Sequence, residues 1–473
     1  MRITRRQFIQ RTGLATAGAL WGSGLLGNPF VRQALAETIG DRYLVVFFLD
    51  GGNDGLNTVV PHDNVGGLRT AYEAARNTGS GGLRLSPGDL LLPASAFKDP
   101  NTNTQLGFHP ALAGFKDLYD QGRLAVVQGC GYPEHSLSHD VSTLIWESGF
   151  PLGSGGLPGG TGWVGRHLAL EYIGSDIPAV NIARSIAGEF KQTATSVLAI
   201  RRLDRFGFPY DPYDHSDASA KRDAFAALYN AASLGAQATV SFIGDAGQAT
   251  LTSSESYPVL DDTYETERAA WSQLYDDIDR GSARDLREIA KIIYGVANGA
   301  PGVNARFFQA RNGGYDTHAD QGGAETDGSH YDLHREVGDS LKLFYDDLDD
   351  MGVADKVCTV VWSEFSRRIE QNDNGTDHGS QGPMFIIGDA VNGGVYGNHP
   401  NIDALALDED GNTEYTQAAN PFRSTDFRDV YGTVLKHWLN MTHADVLANA
   451  LQLDAGDPTY YWTSENFDLG FLP

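Results

Sequence analysis

Tyr43-Leu44-Val45-Val46-Phe47-Phe48-Leu49-Asp50-Gly51-Gly52-Asn53-Asp54-Gly55 opens with a continuous apolar run and closes on carboxylates and glycines. A run with no polar alternation suits a strand covered on both faces, as in a parallel sheet, because neither side of its pleat meets water. Ligands of open α/β sheets gather outside the carboxyl ends of the strands. Asp50 stands at such an end, and the glycines beside it let backbone or ligand approach closely.

Further runs of this kind lie at residues 124–127, 357–362 and 384–387. Residues 111–121 space Leu112, Phe115 and Leu118 as a helix does, and residues 331–350 place Leu333, Val337, Leu341, Phe344 and Leu348 at three- and four-residue steps. That spacing gives an amphipathic helix. Strands alternating with helices predict an α/β fold with a mostly parallel central sheet sandwiched by helices. Residues from about 201 to 299 are polar, then Ala-rich, and are read as a helical cap or insertion on a single domain spanning 37–473. The Gly-rich stretch 153–162 lacks the Lys of a phosphate-cradling loop and is read as a turn.

The chain has 473 residues, with 41% hydrophobic and 20% charged residues, which is globular composition. Its 35 Lys and Arg against 61 Asp and Glu give a net charge of -26, which argues against nucleic acid and anionic membranes as partners. Arg5-Arg6 followed by Phe8-Ile9, a weakly apolar Ala/Gly/Leu run and Ala34-Leu35-Ala36 read as a twin-arginine leader over residues 1–36. A periplasmic or extracellular location is therefore expected, with no integral membrane span. The two cysteines, Cys130 and Cys358, lie in apolar runs and are read as buried thiols, with a disulfide between neighbouring strands as the alternative.

Four motifs carry chemistry. Besides the Asp50 turn, Ser138-His139-Asp140 follows the second strand and leads into a helix, where Ser138 reads as a nucleophile and equally as a helix cap. Gly314-Tyr315-Asp316-Thr317-His318 brings a carboxylate and an imidazole within reach of one divalent ion. Ser363-Glu364-Phe365-Ser366-Arg367 runs on to Thr376-Asp377-His378, whose adjacent acid and imidazole suit metal ligation, while Glu364 and Arg367 also read as a surface ion pair. His330 and His334 are read as helix-face residues because no zinc-protease Glu accompanies them. His109 and His399 are read as structural, with His399 the candidate for completing a metal shell.

These motifs in this order, with Trp146 and the arginine leader, resemble the secreted bacterial family called domain of unknown function 1501, which is grouped with the alkaline phosphatase and sulfatase superfamily. The resemblance implies an alkaline phosphatase-like α/β sandwich with its metal site at the strand carboxyl ends. It implies metal ligation by Asp50, Asp316, His318, Glu364, Asp377 and His378, with zinc, manganese, iron or calcium as the divalent ion. Ser138 would match the nucleophile, and Arg367 would clamp the substrate's oxygens. The superfamily's second Asp and His usually stand four residues apart, whereas His318 follows Asp316 by two. The expected activity is metal-dependent hydrolysis or transfer of phosphate or sulfate esters, on a small anionic ester or glycan. The competing expectation is a non-catalytic metal-binding or assembly protein that works with a secreted protein partner.

Overall fold

The computed structural model describes residues 41–473 apart from 77–80, 134, 151–159, 173–176, 193–194, 209–216, 234–237, 324–327, 403–419, 422 and 452–466. The leader read at residues 1–36 and most of the Gly-rich turn at 153–162 lie outside the described residues.

The strands are β1 (Tyr43–Asp50), β2 (Val59–Pro61), β3 (Leu106–Phe108), β4 (Leu124–Gly131), β5 (Ala179–Asn181), β6 (Val197–Ala199), β7 (Phe307–Gly313), β8 (Val357–Trp362), β9 (Ser366–Arg367), β10 (His378–Gly379), β11 (Gly382–Ile387), β12 (Gly394–Tyr396) and β13 (Thr425–Asp426). The central sheet runs β12-β4-β11-β8-β1-β7-β5-β6, and β13 also pairs with β4. β1 sits between β7 and β8, parallel to both. β11 alone is reversed, antiparallel to β4 and β8. The carboxyl ends of β1, β4, β7 and β8 therefore share one sheet edge with the amino end of β11.

The central position of β1 explains its composition. Val45, Phe47 and Leu49 enter a core on one face, whereas Leu44, Val46 and Phe48 enter a second core on the other. The long helices are α1 (Ala113–Asp120), α2 (His139–Ser148), α3 (Trp163–Glu171), α4 (Ala218–Ser233), α5 (Ala238–Glu267), α6 (Ala269–Ile278), α7 (Gly281–Ala297), α8 (Ser329–Asp350) and α9 (Phe427–Thr433). Side chains of α1, α5, α7 and α8 fill the first core, and those of α2, α3 and α9 the second. The molecule is a mixed α/β protein whose mostly parallel central sheet is flanked by helices.

Residues 217–297 are largely helical, in α4 to α7. Asp347 of α8 ties this layer to the sheet domain: its fully buried carboxylate pairs with Arg268 and accepts from the Tyr264 and Tyr275 hydroxyls. His330 and His334 on α8 are fully buried, and both meet the His109 ring edge to face beneath the β1 turn. Cys130 on β4 and Cys358 on β8 are free and buried, with β11 between their strands. Among the described residues no helix is long and apolar enough to cross a membrane.

Candidate metal centre

After Asp50 the chain turns through Gly51 at φ +123° and Gly52 at φ +79°. A Cβ on Gly51 would stand 2.4 Å from the backbone nitrogen of Asp316, so the loop after β7 lies directly against this turn. The turn aims two successive amides at one carboxylate. Gly51 N–H donates to Glu364 Oε1 at 3.0 Å and Gly52 N–H to Glu364 Oε2 at 3.1 Å. Paired amides of this kind form an anion-binding nest. Glu364 is fully buried, and its Oε1 also accepts from His139 Nδ1 at 2.7 Å.

That contact fixes the tautomer of His139, with the proton on Nδ1 and the lone pair on Nε2. His139 Nε2 is buried with no hydrogen-bond partner, 3.5 Å from Asp316 Oδ2. His378 is oriented in the same way, its Nδ1 donating to the Leu137 carbonyl at 2.7 Å. Its Nε2 lies 3.1 Å from Asp316 Oδ1 and 2.9 Å from His318 Nε2. His318 in turn places Nδ1 3.3 Å from Asp377 Oδ1. Each of the three imidazoles thus has an acceptor behind Nδ1; His139 and His378 gather their Nε2 atoms with Asp316, and His318 Nε2 stands against His378 and, at 3.2 Å, Asp316 Oδ1. Phe365 packs against His139 and His378, with ring centroids 4.8 and 4.7 Å away, and limits how far either ring can rotate.

This arrangement fits a divalent metal. The ligand atoms of His139, Asp316 and His378 lie within 4.8 Å of one another. Tetrahedral coordination with metal–nitrogen distances of about 2.0–2.1 Å separates ligand atoms by about 3.3 Å, close to the separations around His378 and Asp316. Two imidazole nitrogens facing each other at 2.9 Å need a cation or a shared proton between their lone pairs. Metal-ligating histidines usually hold a carboxylate or carbonyl on the other ring nitrogen, as all three do here. Burial alone would raise the Asp316 carboxyl, but Arg367, through its hydrogen bond and its charge, holds it down at about 2. The hydrogen bond to Glu364 raises the His139 pKa.

The residues selected from the motifs therefore divide. Asp316, His318 and His378 converge on the centre. Asp377 stands behind His318 as its acceptor, and Glu364 behind His139, with its oxygens taken by the nest and the imidazole. Asp50 is not in the group of ligand atoms and meets Arg311 at 3.2 Å, although Glu364 and His139 lie near enough for their charges to act on it. Arg367 is fully buried, not half of a surface pair with Glu364. It donates to the carbonyls of Gly51, Gly52, Tyr315 and Thr376 and to Asp316. Its fork is thereby spent on clamping the three site loops together, leaving none for a substrate. Ser138, at the N-terminus of α2, is exposed between Leu137 and His139. His399 lies apart, its backbone amide on Asp99 and its ring on the Pro400 carbonyl. His139 is the candidate ligand that motif reading passed over; the signal was its place beside Ser138 at the start of the helix after β4.

Fold and site together define a mixed α/β protein with a carboxylate–imidazole centre at the carboxyl edge of its sheet. Residues 295–451 match the model of a protein family of unknown function, DUF1501. The matched segment holds Asp316, His318, Glu364, Arg367, Asp377 and His378, and leaves the β1 turn and Ser138-His139 outside it. No curated protein matches the chain.

Beside the centre, on the Asp50 side, a cleft of about 1010 Å³ opens over the ends of β1, β5 and β7. Asp285 of α7 lines it, and burial together with Glu288 raises its carboxyl to about 7 against the pull of Arg201 and Arg311, with Glu336 adding to the rise. The folded chain then holds more protons than the unfolded one between about pH 4 and pH 7, so this residue makes stability fall as pH rises through that window. Asp285→Asn is expected to remove that slope, raising stability at pH 7.5 by on the order of 2 kcal/mol relative to the parent while leaving pH 4 nearly unchanged. Urea midpoints of both chains across pH 4–8 measure it, and parallel profiles would refute it.

Proposed function

We propose that the chain is an exported metal-dependent hydrolase or transferase of phosphate or sulfate esters, built on an alkaline phosphatase-like fold. The carrying observation is the gathering of His139 and His378 Nε2 with Asp316, His318 Nε2 standing against the latter two, each imidazole oriented from behind by an acceptor. The position of the centre at the carboxyl edge of a mostly parallel sheet supports the superfamily assignment, and the arginine leader supports export by the twin-arginine pathway to the periplasm or beyond.

Three imidazoles and one carboxylate select zinc, manganese or iron over calcium, which prefers an all-oxygen shell. When bound, such an ion supplies Lewis-acid polarisation of an ester's phosphoryl or sulfuryl oxygen. The chain's own residues do the rest. Glu364 and the Leu137 carbonyl hold two imidazoles in the ligating tautomer. Arg367 fixes the Gly51 turn and Asp316 relative to one another. Ser138 presents an exposed hydroxyl at the first turn of α2, where the helix dipole favours developing negative charge, and is the nucleophile of this reading.

The test is elemental analysis of the purified chain, prepared without chelators, beside a His139→Ala/His378→Ala variant. About one transition metal per chain is expected in the parent and none in the variant. With that metal bound, Ser138→Ala is expected to keep the ion and lose roughly a hundredfold or more of turnover on aryl phosphate or sulfate. A metal-free parent whose melting temperature ignores added zinc, manganese and iron would sink the metal reading. Full turnover by Ser138→Ala would remove the serine from the chemistry.

A further inference from the structure

The cleft beside the metal centre has a charge opposite to that of the molecule. Eight Arg and Lys side chains line it against four Asp and Glu, in a chain whose net charge is -26. Its floor is the carboxyl edge of β1, β5 and β7, with Asn181, Gln309 and Arg311 exposed to it. The loops after β5 and β6, which carry Arg184 and Arg201, and the first turns of α7 also line it.

Three of the arginines are answered outside the cleft, Arg202 by Asp204, Arg284 by Asp279 and Arg287 by Asp276. Arg184 and Arg201 are exposed and make no ion pair among the described residues. Arg311 neutralises Asp50, the residue at which the cleft meets the metal centre, since Gly51 next to it holds Glu364. All four lining acids, Asp50, Glu147, Asp285 and Glu288, have their carboxyls raised, burial being the largest cause.

We propose that this cleft binds a short oligoanion, a ligand carrying two or more sulfate or phosphate groups, and holds it with one ester beside the metal centre. Guanidinium forks match the oxygens of tetrahedral anions bidentately. Arg184 follows β5 and Arg201 follows the neighbouring strand β6, so two separate loops each bring an unpaired guanidinium to the cleft, and a ligand with two anionic groups can answer both. The volume lies at the upper end for small-ligand sites, which are about 300–1,000 Å³. The acidic remainder of the surface repels a long polyanion, which sets the ligand's length to that of the cleft. The placement of the reacting ester rests on the metal-centre reading; the binding of the oligoanion does not.

Calorimetry on the full chain at low and moderate salt tests the proposal, with three probes: a fully sulfated tetrasaccharide, inositol hexakisphosphate and an unsulfated oligouronate of matching length. The sulfated sugar, the hexakisphosphate or both are expected to bind at least tenfold tighter than the oligouronate, more weakly as salt rises, and the better of the two identifies the oxyanion. Arg184→Gln/Arg201→Gln, at two exposed positions, is expected to weaken that binding at least tenfold with an unchanged circular dichroism spectrum. His139→Ala/His378→Ala is expected to weaken it less than the arginine variant does. Absence of binding by both oxyanion probes, equal binding of the oligouronate, or parental binding by the arginine variant would overturn the cleft proposal. A parent chain that holds no metal yet binds the oligoanion would instead overturn only the catalytic reading.

Discussion

Gly51→Ala is expected to cost about 3 kcal/mol or more of folding stability and to empty the metal centre. The backbone there sits at φ +123°, a region L side chains rarely adopt, which contributes about 1–3 kcal/mol of strain. The added methyl would stand 2.4 Å from Asp316 N and 2.8 Å from the Tyr315 carbonyl carbon, so backbone rather than a flexible side-chain tip has to move. Overpacking of this kind costs about 1–3 kcal/mol in its own right. Moving the β7 loop away carries Asp316 and His318 out of register with His139 and His378, whose positions come from other elements. Thermal unfolding and metal content of the same preparation check both halves of the expectation. A melting temperature close to the parent's with a full metal complement would show that the loop yields without consequence.

Glu364→Gln is expected to be nearly as severe, although it changes the side chain by one atom. Gly51 N–H, Gly52 N–H and His139 Nδ1–H all converge on the two carboxylate oxygens. An amide supplies one oxygen and turns an NH2 against at least one of those donors in a fully buried site. Breaking a buried, charge-assisted network by altering one partner costs about 3 kcal/mol. His139 loses its orienting acceptor as well, and loss of such a partner lowers metal affinity roughly 10–100-fold. Competition with a chelator of known affinity measures the second effect and denaturant unfolding the first. Parental metal affinity in the variant would reduce Glu364 to a loop anchor.

The contrast between Glu364 and Asp316 shows how far the motifs alone could be read. Both follow an apolar strand, both lie beside aromatic and hydroxyl residues, and both were candidate ligands. Only the turn at Gly51-Gly52 separates them, because it aims two amides at Glu364 and leaves Asp316 open to the imidazoles. Arg367 is a parallel case: its sequence neighbourhood suits a substrate clamp, yet the carbonyls of three loops reach its fork first. His139 was hidden for the opposite reason, as the second of two imidazoles, after His135, in a segment read for its serine.

What the sequence determined by itself is local. Unbroken apolar runs made β1, β4, β8 and β11 legible, since burial on both faces leaves no polar residue in such a strand. Helical spacing gave α1 and α8 to within two residues at each end. The motifs placed chemistry at strand ends because a parallel sheet gathers its loops on one edge. The tertiary structure decided the reversal of β11, which brings His378 to that edge from a strand's beginning rather than its end. It decided that the Ser- and Thr-rich stretch through Pro258 is one long helix, α5, whose Leu260 and Tyr264 gain their stability from burial rather than from propensity. It also decided which acids face the centre and which stand behind a histidine. Sequence fixes which groups a loop carries, but their direction depends on hydrogen bonds made to residues hundreds of positions away, and those partners exist only once the sheet has brought the loops together.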